Sequence, residues 1–102
     1  MEKVIYNLVF NRKKRLNAEG KALILVEAYL NRQKKYFSTK IYVKPTQWDS
    51  KRKAVRNHPN MDELNQYIED YITYLERIEL DMVQSGRPFS LKYLRERGDF
   101  EL

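Results

Sequence analysis

The stretch from Gly20 to Asp49, GKALILVEAYLNRQKKYFSTKIYVKPTQWD, leaves this chain few ways to fold. Side chains alternate along a strand, so Ile24, Val26, Ala28 and Leu30 share one face of an extended segment from Ala22 to Leu30. Phe37, Thr39, Ile41 and Val43 share one face of a second segment, Lys34 to Val43. A short turn at Asn31, Arg32 and Gln33 joins the two, and Pro45 stops the second. The result is an antiparallel hairpin with one face that requires a core. Its other face carries Leu25, Glu27 and Tyr29, then Lys35, Tyr36, Ser38, Lys40 and Tyr42. Such a mixture of cations, hydroxyls and rings faces either water or a polyanion.

Upstream, Val4 to Phe10 alternates again, with Tyr6, Leu8 and Phe10 on the more apolar side, and reads as a first strand. Asn11 to Glu19 is polar, holds four consecutive cations from Arg12 to Arg15 and ends at Gly20, which predicts a mobile loop between strands one and two. Three strands with a single apolar face are near the limit of independent stability, so something must cover that face. The cover is predicted from the change of period after Asn60. Leu64, Ile68, Tyr71, Leu75, Ile78 and Met82 form one helical stripe, opened by Asn60 as N-cap with Glu63 in a capping box and closed at Gly86 and Pro88. Glu69, Asp70, Glu76 and Glu79 make the far side of this helix acidic. A coiled coil would use the same stripe, but sheet and helix each lack another partner in the chain. The predicted fold is therefore α+β: a three-stranded antiparallel meander packed on one long C-terminal helix. Trp48 is placed to plug one end of the core, and Lys51 to Asn57 form a second basic loop. Ser90 then caps a short helix or tail that runs through Arg97 to Gly98.

Residue chemistry narrows the function. At 102 residues the chain is one domain by length, and it has no Cys to supply a disulfide, a thiolate ligand or a nucleophile. His58 is the only histidine, beside a proline and without a carboxylate cluster, and Gly20, Gly86 and Gly98 are too scattered for a phosphate loop. The longest apolar run, Ala22 to Val26, is far too short to span a membrane, and the N-terminus carries no cleavable signal pattern. These features argue for a cytoplasmic, non-enzymatic protein with no cofactor, metal, membrane or small-molecule substrate. Charge is divided unevenly: residues 1–57 hold fifteen Lys and Arg against four acids, residues 58–102 five against ten. A basic half joined to an acidic half suggests that one face meets a polyanion.

Duplex DNA fits the layout, with Arg12, Lys13, Lys14, Arg15, Lys51, Arg52 and Lys53 on phosphates and Glu27, Tyr29, Lys35, Tyr36, Ser38, Lys40 and Tyr42 on the reading face. A single strand stacked on Tyr29, Tyr36 and Tyr42 is the alternative nucleic-acid reading.

The pieces GKA at Gly20 to Ala22, FST at Phe37 to Thr39, Ile41 and Val43, Pro45, and Trp48 with Asp49, followed by a helix opening near Leu64 and Asn65, form a recognisable order. It resembles the N-terminal arm-type DNA-binding domain of phage-integrase-family tyrosine recombinases, as found in Bacteroides-type mobile elements, over about residues 4 to 90. The resemblance implies a sheet that enters the major groove of arm-type sites, supports DNA integration and recombination, and meets other integrase protomers or domains. It also implies that residues 1–88 form the arm domain and 89–102 a linker or the start of a core-binding domain. The catalytic domain would lie further along the full chain, so none of the eight tyrosines is its nucleophile. Two positions depart from the family pattern: Glu27 stands where an Arg is usual, and Lys40 where a Gly is usual. A carboxylate at the first can accept from a cytosine amino group, and Lys40 adds a cation. A module that docks other integrase domains through the acidic helix or tail is the alternative function.

Overall fold

The structure, a computed structural model, describes residues 3–100, with side chains described as far as Arg97. Strands β1 (Ile5–Phe10), β2 (Ala22–Leu30) and β3 (Gln33–Val43) form an antiparallel sheet in the order β1-β2-β3. The β2–β3 turn is tighter than the sequence suggests. Gln33 pairs with Leu30, leaving only Asn31 and Arg32 in the turn, at φ 51° and 65°. Positive φ at both central residues matches the twist of the flanking strands, which is why two-residue hairpins favour it.

The apolar face of the sheet is covered as expected, but by two helices. Helix α1 (Met61–Gln84) presents Ile68, Tyr71, Leu75 and Met82 to the core, with Leu64 and Ile78 partly buried at its flanks. Helix α2 (Leu91–Phe100) lies against β3, β2 and α1, and buries Leu91 and Leu94 with Phe37, Val26, Tyr71 and Leu75. Ser90 Oγ accepts the Tyr93 N–H at 3.1 Å, so α2 has the predicted cap. It continues through Gly98 instead of ending there. A glycine inside a helix costs about 1 kcal/mol relative to alanine, too little to stop one.

A second cluster gathers Ile24, Val43, Trp48, Val55 and Ile68 at the other end of the core. Trp48 closes that end, stacked on Phe10 at 5.8 Å between ring centroids. It belongs to a small ribbon, β4 (Trp48–Asp49) paired with β5 (Ala54–Val55), which a 3₁₀ turn at Pro45–Gln47 connects to β3. Asn65 hooks the ribbon to α1: its Oδ1 accepts the Val55 N–H at 2.9 Å and its Nδ2 donates to the Val55 carbonyl at 3.0 Å.

Two further expectations change. Asn60 sits at the start of α1 but makes no side-chain cap, because its ψ of 34° lies outside the extended range from which a cap reaches the first turn. The His58 Nδ1 instead accepts the Asn60 N–H at 2.9 Å. Glu79 is not on the solvent side of α1; it is 6% exposed. Its carboxylate accepts the Val4 N–H at 2.8 Å and the Tyr6 hydroxyl at 3.1 Å, clamping the entry to β1. Burial, then the Glu79 charge beside it, pushes the Tyr6 hydroxyl far above its ordinary pKa.

Candidate nucleic-acid interface

Both helices pack on one face of the sheet, which leaves the other face to solvent. Cross-strand register builds that outer face row by row: Ile5, Tyr29 and Lys34; Asn7, Glu27 and Tyr36; Val9, Leu25 and Ser38; then Leu23 and Tyr42. Lys35 is not on it. Lys35 pairs with Ala28 and shares the parity of buried Phe37, so it emerges on the core side at an exposed edge. Lys34 takes its place, a position that counting by twos from Tyr36 would have found.

Glu27 is the centre of a polar belt. Its carboxylate accepts the Tyr36 hydroxyl at 3.1 Å and lies 3.8 Å from Lys34 Nζ, while the side chain keeps only 14% of its surface exposed. Arg12 extends the belt from the first loop, its guanidinium 4.0 Å from the centroid of the Tyr36 ring. The charge of Glu27 is thus met within the protein, and its contacts orient Tyr36 and Lys34.

Thr39, Lys40 and Ile41 form a bulge. Between Leu23 and Leu25 on β2, β3 runs from Tyr42 to Ser38, so three residues oppose Ile24 alone. Thr39 Oγ1 donates to the Ile24 carbonyl at 2.7 Å and accepts the Ile41 N–H at 3.1 Å. Ser38 Oγ accepts the Lys40 N–H at 3.0 Å. Lys40 itself stands at φ 64°, a backbone state that favours glycine, and its side chain is exposed. Replacing Lys40 by Gly is therefore expected to raise stability by about 0.5–1 kcal/mol. A urea midpoint that moves up at constant m-value would show this, and a lower midpoint would mean that Lys40 carries no backbone strain.

The basic loop between β1 and β2 is hydrogen-bonded through its own asparagines. The Asn11 carbonyl accepts the Lys14 N–H and its Oδ1 the Arg15 N–H, both at 2.9 Å. Asn17 Oδ1 accepts from Glu19 at 3.0 Å and Lys21 at 2.9 Å, and the Asn17 N–H donates to the Lys21 carbonyl at 2.8 Å. Asparagine side chains mimic backbone turns, so two of them fold a loop that polarity alone suggested was mobile. The loop and the outer face enclose a basin of about 340 Å³, rimmed by Arg12, Lys13, Arg15 and Lys21 and floored by Leu23, Leu25 and Tyr42. Lys21 joins the cations that charge runs had singled out.

Lys51, Arg52 and Lys53 lie exposed at the tip of the β4–β5 ribbon, where Asp49 Oδ1 accepts the N–H groups of Lys51 and Arg52, each at 3.0 Å. Hydrogen bonding from Arg52 is the largest influence holding the Asp49 carboxyl below its ordinary pKa. The first loop follows the end of β1 and the ribbon follows the end of β3, so in this antiparallel meander both basic segments leave the same end of the sheet. Tyr29 lies towards the opposite end, beside Ile5 and Lys34.

Among the described residues there is no group of three or more His, Cys, Asp or Glu that could hold a metal, and no helix long and apolar enough to cross a membrane. A family model, described as Arm DNA-binding domain, matches residues 9–95. No curated protein and no solved structure matches the chain.

Proposed function

We propose that this chain, which belongs to the Arm DNA-binding domain family of integrases, positions duplex DNA at arm-type sites of a tyrosine recombinase with its outer sheet face in the major groove. The domain type is non-catalytic and DNA-binding. The observation that carries the groove reading is the outer face itself, uncovered by either helix and bounded at one end by both basic segments. Three strands about 4.8 Å apart span about 10 Å, which suits a major groove about 12 Å wide. Arg12, Lys13, Lys14, Arg15, Lys51, Arg52 and Lys53 then lie along phosphates, and Tyr29, Lys34, Tyr36, Ser38, Lys40 and Tyr42 turn towards base edges. Lys35 has an edge position suited to a flanking phosphate. The finer link to Bacteroides-type elements rests on the GKA, FST, Ile41/Val43, Pro45 and Trp48–Asp49 pattern.

Chemical-shift titration with duplex DNA tests this reading. Resonances of Tyr29, Lys34, Tyr36 and Lys40 should move while those of the exposed α1 face stay still, and the reverse would reject it. The salt response is a second check. With roughly four to six phosphates neutralised, log K against log salt should fall with a slope of about −4 to −5. A flat response counts against groove binding.

A docking role for α1 has one observation in its favour. Leu80 is 53% and Tyr67 46% exposed on a helix that also exposes Glu69, Asp70 and Asp81. Other integrase protomers or domains are the partners such a face would meet, and movement of these resonances on adding them would support it.

A further inference from the structure

The outer face is less polar towards its basic end than a phosphate-binding surface needs to be. Val9 and Leu25 sit side by side in the register, Leu23 lies two residues along from Leu25, and Ile5 is 57% exposed at the far end. Neither helix covers this patch. Leu23 and Leu25 instead floor the basin whose rim is Arg12, Lys13, Arg15 and Lys21.

An apolar floor inside a cationic rim has a complement in the major groove of DNA. Phosphates line the walls, and the one apolar group presented there by the four bases is the C5-methyl of thymine. We propose that the Val9–Leu23–Leu25 patch reads thymine methyl groups, making these residues specificity determinants of the DNA-binding face. The inference rests on the groove-binding reading and extends it to a preference for particular bases. Neighbouring outward residues on one strand are about 6.7 Å apart, which is about two base-pair steps of 3.4 Å. Leu23 and Leu25 therefore suit thymines about two steps apart. The polar belt of Arg12, Tyr36, Glu27 and Lys34 lies next to the patch and leaves hydrogen bonding to adjacent positions.

The test uses the full 102-residue chain and the tightest duplex selected from a random pool. Each thymine is replaced in turn by deoxyuracil, which keeps every hydrogen-bonding group and removes only the methyl. One or two replacements should weaken binding about fourfold each, the loss expected for exposing one methyl-sized group. Leu25→Ala should lose the gap at one of these thymines and Leu23→Ala at the other, and Lys13→Ala should bind every duplex more weakly while keeping both gaps. Equal binding of all deoxyuracil duplexes by the unchanged protein overturns the inference and leaves groove binding standing. A gap at one and the same thymine that survives in both leucine variants also overturns it. Absence of binding to any duplex overturns the groove reading itself, and the inference with it.

Discussion

Leu94→Ala is expected to lower the unfolding free energy by about 2–5 kcal/mol, the cost of emptying a closed site in a core. Leu94 is 0% exposed and packs in one cluster with Phe37, Val26 and Leu75, which tie it to β3, β2 and α1. A domain of this size has a total stability of about 5–15 kcal/mol, so the loss is a large share of it. Ending the chain at Pro88 removes Leu91 as well and uncovers Phe37. That fragment is expected to lose its cooperative urea transition. The family match reaches Arg95 and so includes the first turns of α2. If residues 1–88 unfold with the midpoint of the full chain, α2 is an appendage, as the sequence alone suggested.

The packing of α2 on the sheet shows where sequence reasoning stops. The meander, the long helix and the Trp48 plug were legible because each rests on a period of two or of 3.6, or on a single large ring just after the strand-ending Pro45. Leu91 and Leu94 are only two positions in a short amphipathic stretch, too few to show whether it docks on the sheet. Glu79 was misplaced for a related reason. A carboxylate at a helix flank looks solvated until the strand that donates Val4 N–H and Tyr6 hydroxyl to it has a position. The candidate interface divides in the same way. Parity gave Glu27, Tyr29, Tyr36 and Tyr42, and correct parity would have exchanged Lys35 for Lys34. The bulge was out of reach because it depends on how many residues of β3 face Ile24, a count that only pairing reveals. A Ser-Thr pair before Lys40, where the family pattern has Gly, was its trace in the sequence.

Replacing Lys13, Lys14 and Arg15 together by Ala is expected to weaken duplex binding about 100-fold or more near 0.1 M salt. Counterion release makes each neutralised phosphate worth nearly a factor of ten there, and the salt slope should flatten by about 0.9 for every phosphate no longer neutralised. Random and selected duplexes should suffer alike, because phosphate contacts carry no base information. Changes on the strands should do the opposite, with Lys40→Ala narrowing the gap between selected and random DNA by about 1–3 kcal/mol if it removes a hydrogen bond to a base. Arg12→Ala alone separates the two effects. Its guanidinium lies on the Tyr36 ring, so it should cost discrimination as well as affinity, unlike Lys13→Ala. Competition binding decides the matter: Lys13, Lys14 or Arg15 variants that lose discrimination while strand variants keep it would reverse the roles assigned to them.

The separation of charge between the two layers also has a kinetic side. The exposed acids of α1, among them Asp62, Glu63, Glu69 and Asp70, belong to the helical layer, whereas the strands, loops and ribbon of residues 1–57 hold fifteen of the twenty Lys and Arg. In the field of a polyanion such a molecule experiences a torque, and it turns its sheet forward before contact. Orientation, the usual brake on association between specific patches, is thereby relaxed during diffusion. Glu69→Gln and Glu19→Gln add the same net charge, but the first weakens the torque and the second, on the basic loop, strengthens it, so at low ionic strength the second should capture DNA faster. The difference should fade as the Debye length falls to about 10 Å at 0.1 M salt, well below the size of the domain.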